Sequence, residues 1–276
     1  MRVRLDIPPR LPGLVLRHAY QVQREWTGPS HRHPELELNL VTGGSATVLV
    51  KGRRLELGPR MLAWLFPGQD HLLARQSDDF AMWVAVFSAR LVRNCTRQAA
   101  YALLGQSNPP GSFARMLQAN AFQALTRLLE RLAKPDLDDP SRGHGFAWLL
   151  TEAWRCFEEA AEVPEGADLH PAVQRMAFLL RDHPETESLA DAALGIGLSY
   201  ARLSRLFHQQ MGLTLVQFRN RQRVRRFLEL HADSSRSNLT ECALQAGFAS
   251  YPQFFRTFRE QMGQSPRAYL QSQTVR

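Results

Sequence analysis

The stretch HRHPELE, residues 31–37, places two histidines and two glutamates within seven positions. If it forms a β-strand, its odd-numbered side chains point to one face, so that His31, His33, Glu35 and Glu37 lie together. Imidazole nitrogens and carboxylates suit zinc, iron, manganese or nickel, but a metal site usually needs three or four ligands. His71, in the later stretch FPGQDH, is the candidate for a further ligand. The alternative is that these polar side chains line a wet pocket or a solvated sheet face.

Short β-strands are expected to position these residues. From residue 14 to about residue 90, apolar segments such as LELNLVT alternate with turn sequences such as TGGS and PGQD. Regularly spaced short strands predict a small sandwich or barrel. Apolar residues then recur at helical spacing over residues 112–133, and a second helix is expected over residues 144–162. These two helices are expected to pack as a hairpin on the sheet or against another subunit.

The chain of 276 residues is longer than one average domain, and its 44% apolar content can fill two cores. The segment VPEGADLHP, 163–171, predicts a linker between an N-terminal domain, 1–162, and a helical domain, 172–276. No apolar run suits a membrane span, and prolines interrupt the N-terminus before any signal-like segment. The three cysteines lack CxxC spacing, which fits a reducing compartment. A soluble, cytoplasmic protein is therefore expected.

The positive charge is concentrated in the last third of the chain. The net charge is +8, and only two of the 34 basic residues are lysines, Lys51 and Lys134. Residues 171–276 carry 14 basic and 8 acidic residues, whereas residues 1–170 carry 20 and 18. Arginine suits bidentate contact with phosphate or guanine, so a partner that carries phosphates is expected to bind the C-terminal end.

An internal repeat occupies this basic region. The segment SLADAALGIGLSYARLSRLFHQQMGLT, from Ser188, aligns with NLTECALQAGFASYPQFFRTFREQMGQS, from Asn238, with a single one-residue shift. Each copy predicts a capped short helix, a glycine turn and a second helix capped by a serine, Ser199 or Ser250. This is the layout of a helix-turn-helix, whose second helix enters the major groove of DNA. The alternative is an ordinary helical bundle with solvated arginines.

An arginine occupies the same exposed position in both second helices, Arg205 in the first copy and Arg256 in the second. Arginine can read guanine O6 and N7 bidentately, whereas serines at helix starts hold phosphates. A helix between the copies carries five arginines, at positions 219, 221, 223, 225 and 226. We expect this helix to fix the spacing of the two units, with some of its arginines contacting phosphates and others solvated.

With these residues in view, residues 171–270 closely resemble the DNA-binding region of the AraC/XylS family of bacterial transcription regulators. The most specific part is AGFASYPQFFRTFREQMGQSPRAY, residues 246–269. Ala201 and Pro252 cannot hydrogen-bond to a base edge, and Leu270 stands where the family usually has arginine, so selectivity is expected to rest mainly on the two arginines and on DNA shape. Alignment with the family implies base contacts near Ala201, Ser204, Arg205, Tyr251, Pro252 and Arg256, and the capping serines Ser199 and Ser250 are expected to contact phosphates.

The N-terminal part resembles the cupin-type sensor domain common in this family, which implies an α+β protein with a small β-barrel, a helical hairpin and a C-terminal all-α domain. In metal-dependent cupins, His31, His33, Glu37 and His71 would match the ligand positions. In regulators the same barrel usually binds a small effector, often a sugar, without a metal. We therefore expect these four residues to bind an effector, with no metal, cofactor or catalytic residue. Further candidates are Trp64, Trp83 and Arg17, although for the two tryptophans the sequence favours a place in the core.

Together these features predict a transcription regulator, not an enzyme, whose DNA binding responds to the effector. Its expected partners are double-stranded DNA, the effector, a second copy in a homodimer and RNA polymerase, but no membrane. It is expected in the cytoplasm, at the nucleoid when bound to DNA. The identity of the effector, the operator, and activation as against repression stay open. The alternatives are a metal-dependent cupin enzyme with a DNA-binding appendage and an architectural DNA binder without an effector.

Overall fold

A computed structural model describes residues 7, 11–19, 34–134, 141–163, 168–233 and 238–274. The chain divides into two compact units, and the main segment of the second unit begins at Asp168. This division falls inside the segment 163–171 that the sequence predicts as a linker. The bounds of that linker stay a prediction, and each unit is described by itself below.

Antiparallel strands build the first unit. Six strands form one sheet in the order β1-β7-β2-β5-β8-β9, and three form another in the order β4-β3-β6. The predicted antiparallel strand domain is confirmed. Within the described ranges the strands pair as two open sheets rather than as a closed barrel. The strands are β1 (Gly13–Ala19), β2 (Leu36–Gly43), β3 (Ala46–Val50), β4 (Arg53–Leu57), β5 (Met61–Leu65), β6 (His71–Gln76), β7 (Ala81–Phe87), β8 (Ala114–Met116) and β9 (Ala161–Glu162).

The two sheets share an apolar cluster, which defines the interior of this unit. Val84 and Val86 of β7 belong to this cluster together with Val48 of β3. Register places Glu37 opposite Val86 and Asn39 opposite Val84, so these two polar residues of β2 point to the same interior. The interior is therefore mainly apolar with polar groups inserted from β2.

Helices cover the other face of the larger sheet. They are α1 (Ala89–Cys95), a 3-10 helix (Ala99–Gly105), α2 (Ala119–Leu132) and α3 (Arg142–Glu158). Leu36, Leu38 and Leu40 pack with α2 and α3 in the main core of this unit. The alternation of faces predicted from HRHPELE is therefore confirmed for residues 36–40, and α2 and α3 pack together in the predicted hairpin.

The helix predicted over residues 112–133 is wrong at its N-terminal end, because α2 begins at Ala119. Residues 114–116 instead form β8, which pairs with β5. The ring of Phe113, just before β8, lies 4.4 Å from that of Phe66, centroid to centroid. The helical spacing of apolar residues in this segment is overruled by pairing with a strand that is distant in sequence. The helix predicted over residues 144–162 similarly ends at Glu158, before β9.

The secondary-structure elements described in the second unit are all helices, as predicted. Its helices are α4 (Pro171–Asp182), α5 (Leu189–Gly195), α6 (Tyr200–Met211), α7 (Leu215–Asp233), α8 (Leu239–Gln245), α9 (Tyr251–Met262) and α10 (Pro266–Thr274). Among the described helices of both units, none has the length and apolar character that a membrane span requires.

Candidate DNA-binding and effector-binding sites

The two helix-turn-helix units, α5–α6 and α8–α9, have matching backbone geometry. Gly197 and Gly247 occupy equivalent positions in the two turns, with φ of 90° and 94°. Gly212 and Gly263 end the second helices in the left-handed conformation, with φ of 67° and 70°. Such angles favour glycine because it has no Cβ. The repeat seen in the sequence is therefore also a repeat of backbone conformation.

The serines predicted to cap the second helices do so. Ser199 Oγ accepts a hydrogen bond from the Arg202 amide at 3.4 Å, and Ser250 Oγ accepts one from the Gln253 amide at 3.4 Å. Because each hydroxyl oxygen acts as the acceptor, its hydrogen stays available for donation to a phosphate oxygen. The caps can thus stabilise the helices and contact a DNA backbone at the same time.

The inner faces of α6 and α9 are fixed by fully buried side chains. Leu203, Phe207, Phe254 and Phe258 are all 0% exposed. One face of each helix is therefore packed in the core, and the opposite face is exposed. This packing fixes the orientation of α6 and α9, the second helices of the two units.

The residues expected to contact DNA lie on or beside that opposite face. Arg205 is exposed, and its Nε donates only a long hydrogen bond, 3.4 Å, to the Ala201 carbonyl oxygen. Arg256 is exposed and makes no hydrogen bond or ion pair in the part of the chain that the structure describes. Of the other expected contact residues, Ser199, Ala201, Ser250 and Pro252 are exposed, whereas Ser204 and Tyr251 are half-buried. The ring of Tyr251 lies 5.6 Å from that of Phe254, so it packs partly against the core.

Two arginines of α7 have a role that the sequence did not indicate. Arg219 Nη1 donates to the carbonyl oxygens of Thr186 and Glu187 at 3.0 and 2.9 Å. Arg223 Nε donates to the carbonyl oxygen of Pro184 at 2.7 Å, and its Nη2 donates to that of Thr186 at 3.1 Å. Burial, together with the charge of Arg219, lowers the pKa of Arg223 to about 10. These arginines hold the loop 184–187 in place.

The same loop also packs against the second helix-turn-helix. A Cβ atom at Gly247 would lie 2.5 Å from Glu185 Cα and 3.1 Å from Arg223 Nε. Loop 184–187 therefore contacts both α7 and the turn between α8 and α9. No local sequence pattern marks this contact, since it joins residues that are far apart in the chain. On the next turns of α7, Arg225 and Arg226 pair with Glu229 at 3.2 and 3.4 Å.

Two of the four residues expected to bind an effector lie within the described chain, and both are buried. Glu37 is 2% exposed, and its Oε1 accepts a hydrogen bond from Asn39 Nδ2 at 2.8 Å. His71 Nδ1 lies 3.1 Å from the Gln69 carbonyl oxygen, and register places this histidine opposite Val50, on the interior face of β3 and β6. His31 and His33 lie outside the described residues. Within the described residues, no group of three or more histidine, cysteine, aspartate or glutamate side chains is placed to hold a metal.

His18 is a further polar residue of this interior, and sequence reasoning missed it. It lies opposite Met82 of the interior cluster, and its Nε2 is 2.8 Å from Gln76 Oε1. This hydrogen bond joins β1 of the larger sheet to β6 of the smaller one. Burial lowers the pKa of His18, and the hydrogen bond with Gln76 opposes that effect. The period-two alternation along β1 was the available signal, because Leu14, Leu16 and His18 share one face.

Two buried atoms in this interior have no hydrogen-bond partner within the described chain. They are His18 Nδ1 and Asn39 Oδ1. By contrast, Trp64 and Trp83 belong to the core on the helix-covered face of the sheet. Arg17 lies over the Trp83 ring at 5.3 Å from its centroid. The three additional pocket candidates from the sequence therefore belong to that outer face, while His18 and Asn39 point inward.

Comparison with known proteins agrees with this division of roles. Residues 12–170 match the family model of an AraC-like ligand binding domain, and residues 192–272 match that of a helix-turn-helix domain. The melibiose operon regulatory protein of Escherichia coli (strain K12) is 29% identical over 96 residues, which is 35% of this chain and 32% of that protein. The chain thus spans about a third of the length of the curated relative that it matches.

Solved structures show more distant likenesses. The match to the structure of ToxT from Vibrio cholerae covers 94% of this chain and 97% of the ToxT chain, with 15% identity and a TM-score of 0.41. The C-terminal domain of AraT, a response regulator from Geobacillus stearothermophilus, covers 38% of this chain and 88% of its own, with 24% identity and a TM-score of 0.36. Neither likeness assigns a role to a residue. The match to the ligand binding domain alone spans more than half of the sequence. The chain belongs to the AraC family of transcription regulators, with an N-terminal ligand-binding domain and a C-terminal helix-turn-helix domain.

Proposed function

We propose that the protein regulates transcription by binding specific DNA sequences through α6 and α9, under the control of a small effector held between the two sheets of its first unit. The observation that carries this proposal is the pair of equivalent exposed arginines, Arg205 and Arg256, on helices whose inner faces are fully buried. Each guanidinium can reach guanine O6 and N7 in a major groove, and the capping serines can hold the adjacent phosphates. The proposal includes no catalysed reaction and implies a cytoplasmic location.

Footprinting tests the DNA-binding part of this proposal. Fragments from upstream of the protein's own and neighbouring genes would be incubated with the full chain over a range of salt concentrations. We expect protection at two adjacent major-groove segments, with an affinity that falls as salt rises, because phosphate contacts release counterions. Equal affinity for all fragments would contradict sequence-specific binding.

The unsatisfied interior atoms support the effector part of the proposal. A buried polar atom without a partner costs about 1–3 kcal/mol, so a ligand that pairs with His18 Nδ1 and Asn39 Oδ1 would recover that free energy. Sugar hydroxyls both donate and accept hydrogen bonds, which suits an imidazole nitrogen and an amide oxygen together. The matched relative is named for the melibiose operon, and we extend this by proposing a sugar as the effector here.

Thermal unfolding of the full chain with a panel of saccharides, melibiose included, tests the sugar proposal. A ligand that binds only the folded state raises the unfolding temperature by mass action. We expect one saccharide to do so, with the shift reduced in Asn39→Ala. If no saccharide shifts the unfolding temperature of a protein that still protects DNA in footprinting, the sugar effector is contradicted but the proposal of DNA binding is not.

Homodimerisation and contact with RNA polymerase complete the proposal. Trp148 on α3 is 60% exposed, an unusual position for a large aromatic side chain, and we propose that a second copy covers it. Sedimentation of the wild type and of Trp148→Gln tests this, since the variant should dissociate more readily. Transcription with purified RNA polymerase on a footprinted promoter then decides between activation and repression.

A further inference from the structure

A groove of about 660 Å³ lies on the helical side of the first unit, away from the interior between the sheets. It is formed by α1, the 3-10 helix that follows and the N-terminal half of α3. Its volume is in the range typical of small-molecule sites. It shares no lining residue with the set Glu37, Asn39, His71 and His18. Its lining consists of Pro12, Ser88, Arg90, Leu91, Asn94, Cys95, Gln98, Tyr101, Gly143, His144, Ala147 and Thr151.

Five polar side chains line this groove, and four of them, all but Tyr101, are exposed. The side chains of Arg90, Asn94, Gln98, Tyr101 and His144 make no hydrogen bond or ion pair within the described residues. All five can donate hydrogen bonds, and the guanidinium is charged at any physiological pH. In small-molecule sites, a small number of polar groups of this kind fix the orientation of a ligand.

The charge of the groove selects a negative ligand. None of its lining residues is a carboxylate. The sequence from residue 80 to residue 129 contains no acidic residue at all, while α1 carries Arg93 one turn after Arg90. On the α3 side, Glu152 is held by Arg155 at 2.6 Å, so its charge is paired. Among the residues that line the groove, an anion therefore meets the positive charge of Arg90 and no carboxylate.

The rest of the lining is apolar or neutral. Pro12, Leu91 and Ala147 supply aliphatic surface, and the Tyr101 ring adds an aromatic edge. Burial raises the pKa of the Cys95 thiol, so it lines the groove as a neutral group at physiological pH. The ligand should therefore carry a compact apolar body as well as its negative group.

We propose that this groove binds a small organic anion, a carboxylate or a phosphate ester on a compact apolar or aromatic body, at a site separate from the effector site between the sheets. Arg90 pairs with the anionic group, Asn94 and His144 add hydrogen bonds, and the apolar body lies against Leu91 and Tyr101. The first unit then has two ligand sites of different chemistry, one for a neutral polyol and one for an anion.

Calorimetric titration of the full chain with phenylacetate and with phenyl phosphate tests this proposal, with 2-phenylethanol as the neutral probe. The two anions should bind saturably and the alcohol about tenfold or more weakly, because charge-assisted hydrogen bonds are about twice as strong as neutral ones. Comparison of the two anions shows which group the groove prefers. Absence of saturable binding by both anions at about millimolar concentrations, or equal binding of the alcohol, would overturn the proposal.

Variants locate the binding. Arg90→Ala should weaken anion binding about tenfold or more. Arg90→Lys should retain part of the binding, since lysine keeps the positive charge but lacks the paired donors of the guanidinium. Arg93→Ala on the same helix is the matched control, because Arg93 does not line the groove. Both arginines are exposed, so folding should be unaffected. Loss of binding in Asn39→Ala but not in Arg90→Ala would place the anion between the sheets and overturn the proposal.

Alkylation provides a readout that does not depend on affinity measurements. Cys95 is half-buried in the groove, whereas Cys156 and Cys242 are buried elsewhere. Mass spectrometry should show that saturating phenyl phosphate slows modification of Cys95 by iodoacetamide. Unchanged modification of Cys95 under saturation would overturn the assignment of the anion to this groove.

Discussion

Arg223 Nε lies 2.7 Å from the carbonyl oxygen of Pro184 and donates a hydrogen bond to it. This bond joins the helix between the two helix-turn-helix units to the loop that precedes the first of them. Because Gly247 of the second unit packs against Glu185 of the same loop, the loop is a common support for both units. The relative position of α6 and α9 therefore depends on residues that do not face DNA.

Substitution of the two turn glycines should separate backbone strain from crowding. Gly197→Ala and Gly247→Ala both force alanine into a left-handed angle, which costs about 1–2 kcal/mol. A Cβ at Gly197 would meet nothing within 4 Å, whereas one at Gly247 would meet Glu185 Cα at 2.5 Å. We expect Gly247→Ala to lower the free energy of unfolding clearly more than Gly197→Ala, as measured by urea denaturation.

A further control for that comparison is Gly195→Ala. Gly195 ends α5 without a positive φ, and a Cβ added there would meet nothing within 4 Å. Alanine there should be neutral or stabilising by up to about 1 kcal/mol. Equal losses at positions 197 and 247 would show that the contact with Glu185 contributes nothing.

Arg256→Ala should relax base selectivity at one position of the operator. The loss should be about 1–3 kcal/mol for the preferred base and much smaller for the others. Arg205→Ala should do the same at one position in the other half of the site. Binding to a set of singly substituted operators measures both. A uniform loss for all operators would assign the arginine to a phosphate contact instead.

Acid should destabilise the first unit through His18. Burial lowers the pKa of His18 in the folded chain, so below the unfolded value of 6.5 the unfolded chain takes up a proton that the folded chain does not. Stability is therefore lost as pH falls from about 6.5 towards the folded pKa, at no more than about 1.4 kcal/mol per pH unit. Unfolding measured between pH 7 and pH 5 should depend less on pH in His18→Gln. The same substitution at the exposed His144 is the control, and an identical change in both variants would refute the role of His18.

Metal analysis tests whether the interior holds an ion. We expect purified protein to contain zinc, iron, manganese and nickel well below one equivalent, with no change in Glu37→Gln. Stoichiometric metal that disappears in Glu37→Gln and His71→Ala would instead support a metal centre of the cupin type. In that case, DNA binding would be compared with and without the metal, because loss of DNA binding on metal removal would assign the metal to effector sensing and not to catalysis.

The sequence predicted the second unit almost completely, because its signals are local and occur twice. In each copy, the capping serine (Ser199 or Ser250), the turn glycine and the buried aromatic residues of the second helix all belong to the same helix-turn-helix. The same reasoning could not identify the carbonyl contacts of Arg219 and Arg223. Those contacts cross more than one helix, and an arginine on a helix has the same local pattern whether it faces solvent or a loop.

In the first unit, the sequence predicted which residues alternate along a strand but not which strands are neighbours. The faces of Leu36 and Glu37 followed from period two alone. Period two groups His18 with Leu14 and Leu16, but the pairing of β1 with β7 was needed to show that this face of β1 is the inward one. Phe113 and Met116 show the opposite case, in which a helical spacing was overruled by a strand partner.

The hydrogen bond between His18 and Gln76 has a mechanical consequence for signalling. Each sheet is stiffened by its own ladder of backbone hydrogen bonds, whereas this bond joins the two sheets through side chains. A molecule that replaced Gln76 as the partner of His18 would therefore change the gap between the sheets more readily than the shape of either one. We therefore expect effector binding to change the distance between the two β-sheets while each sheet keeps its shape.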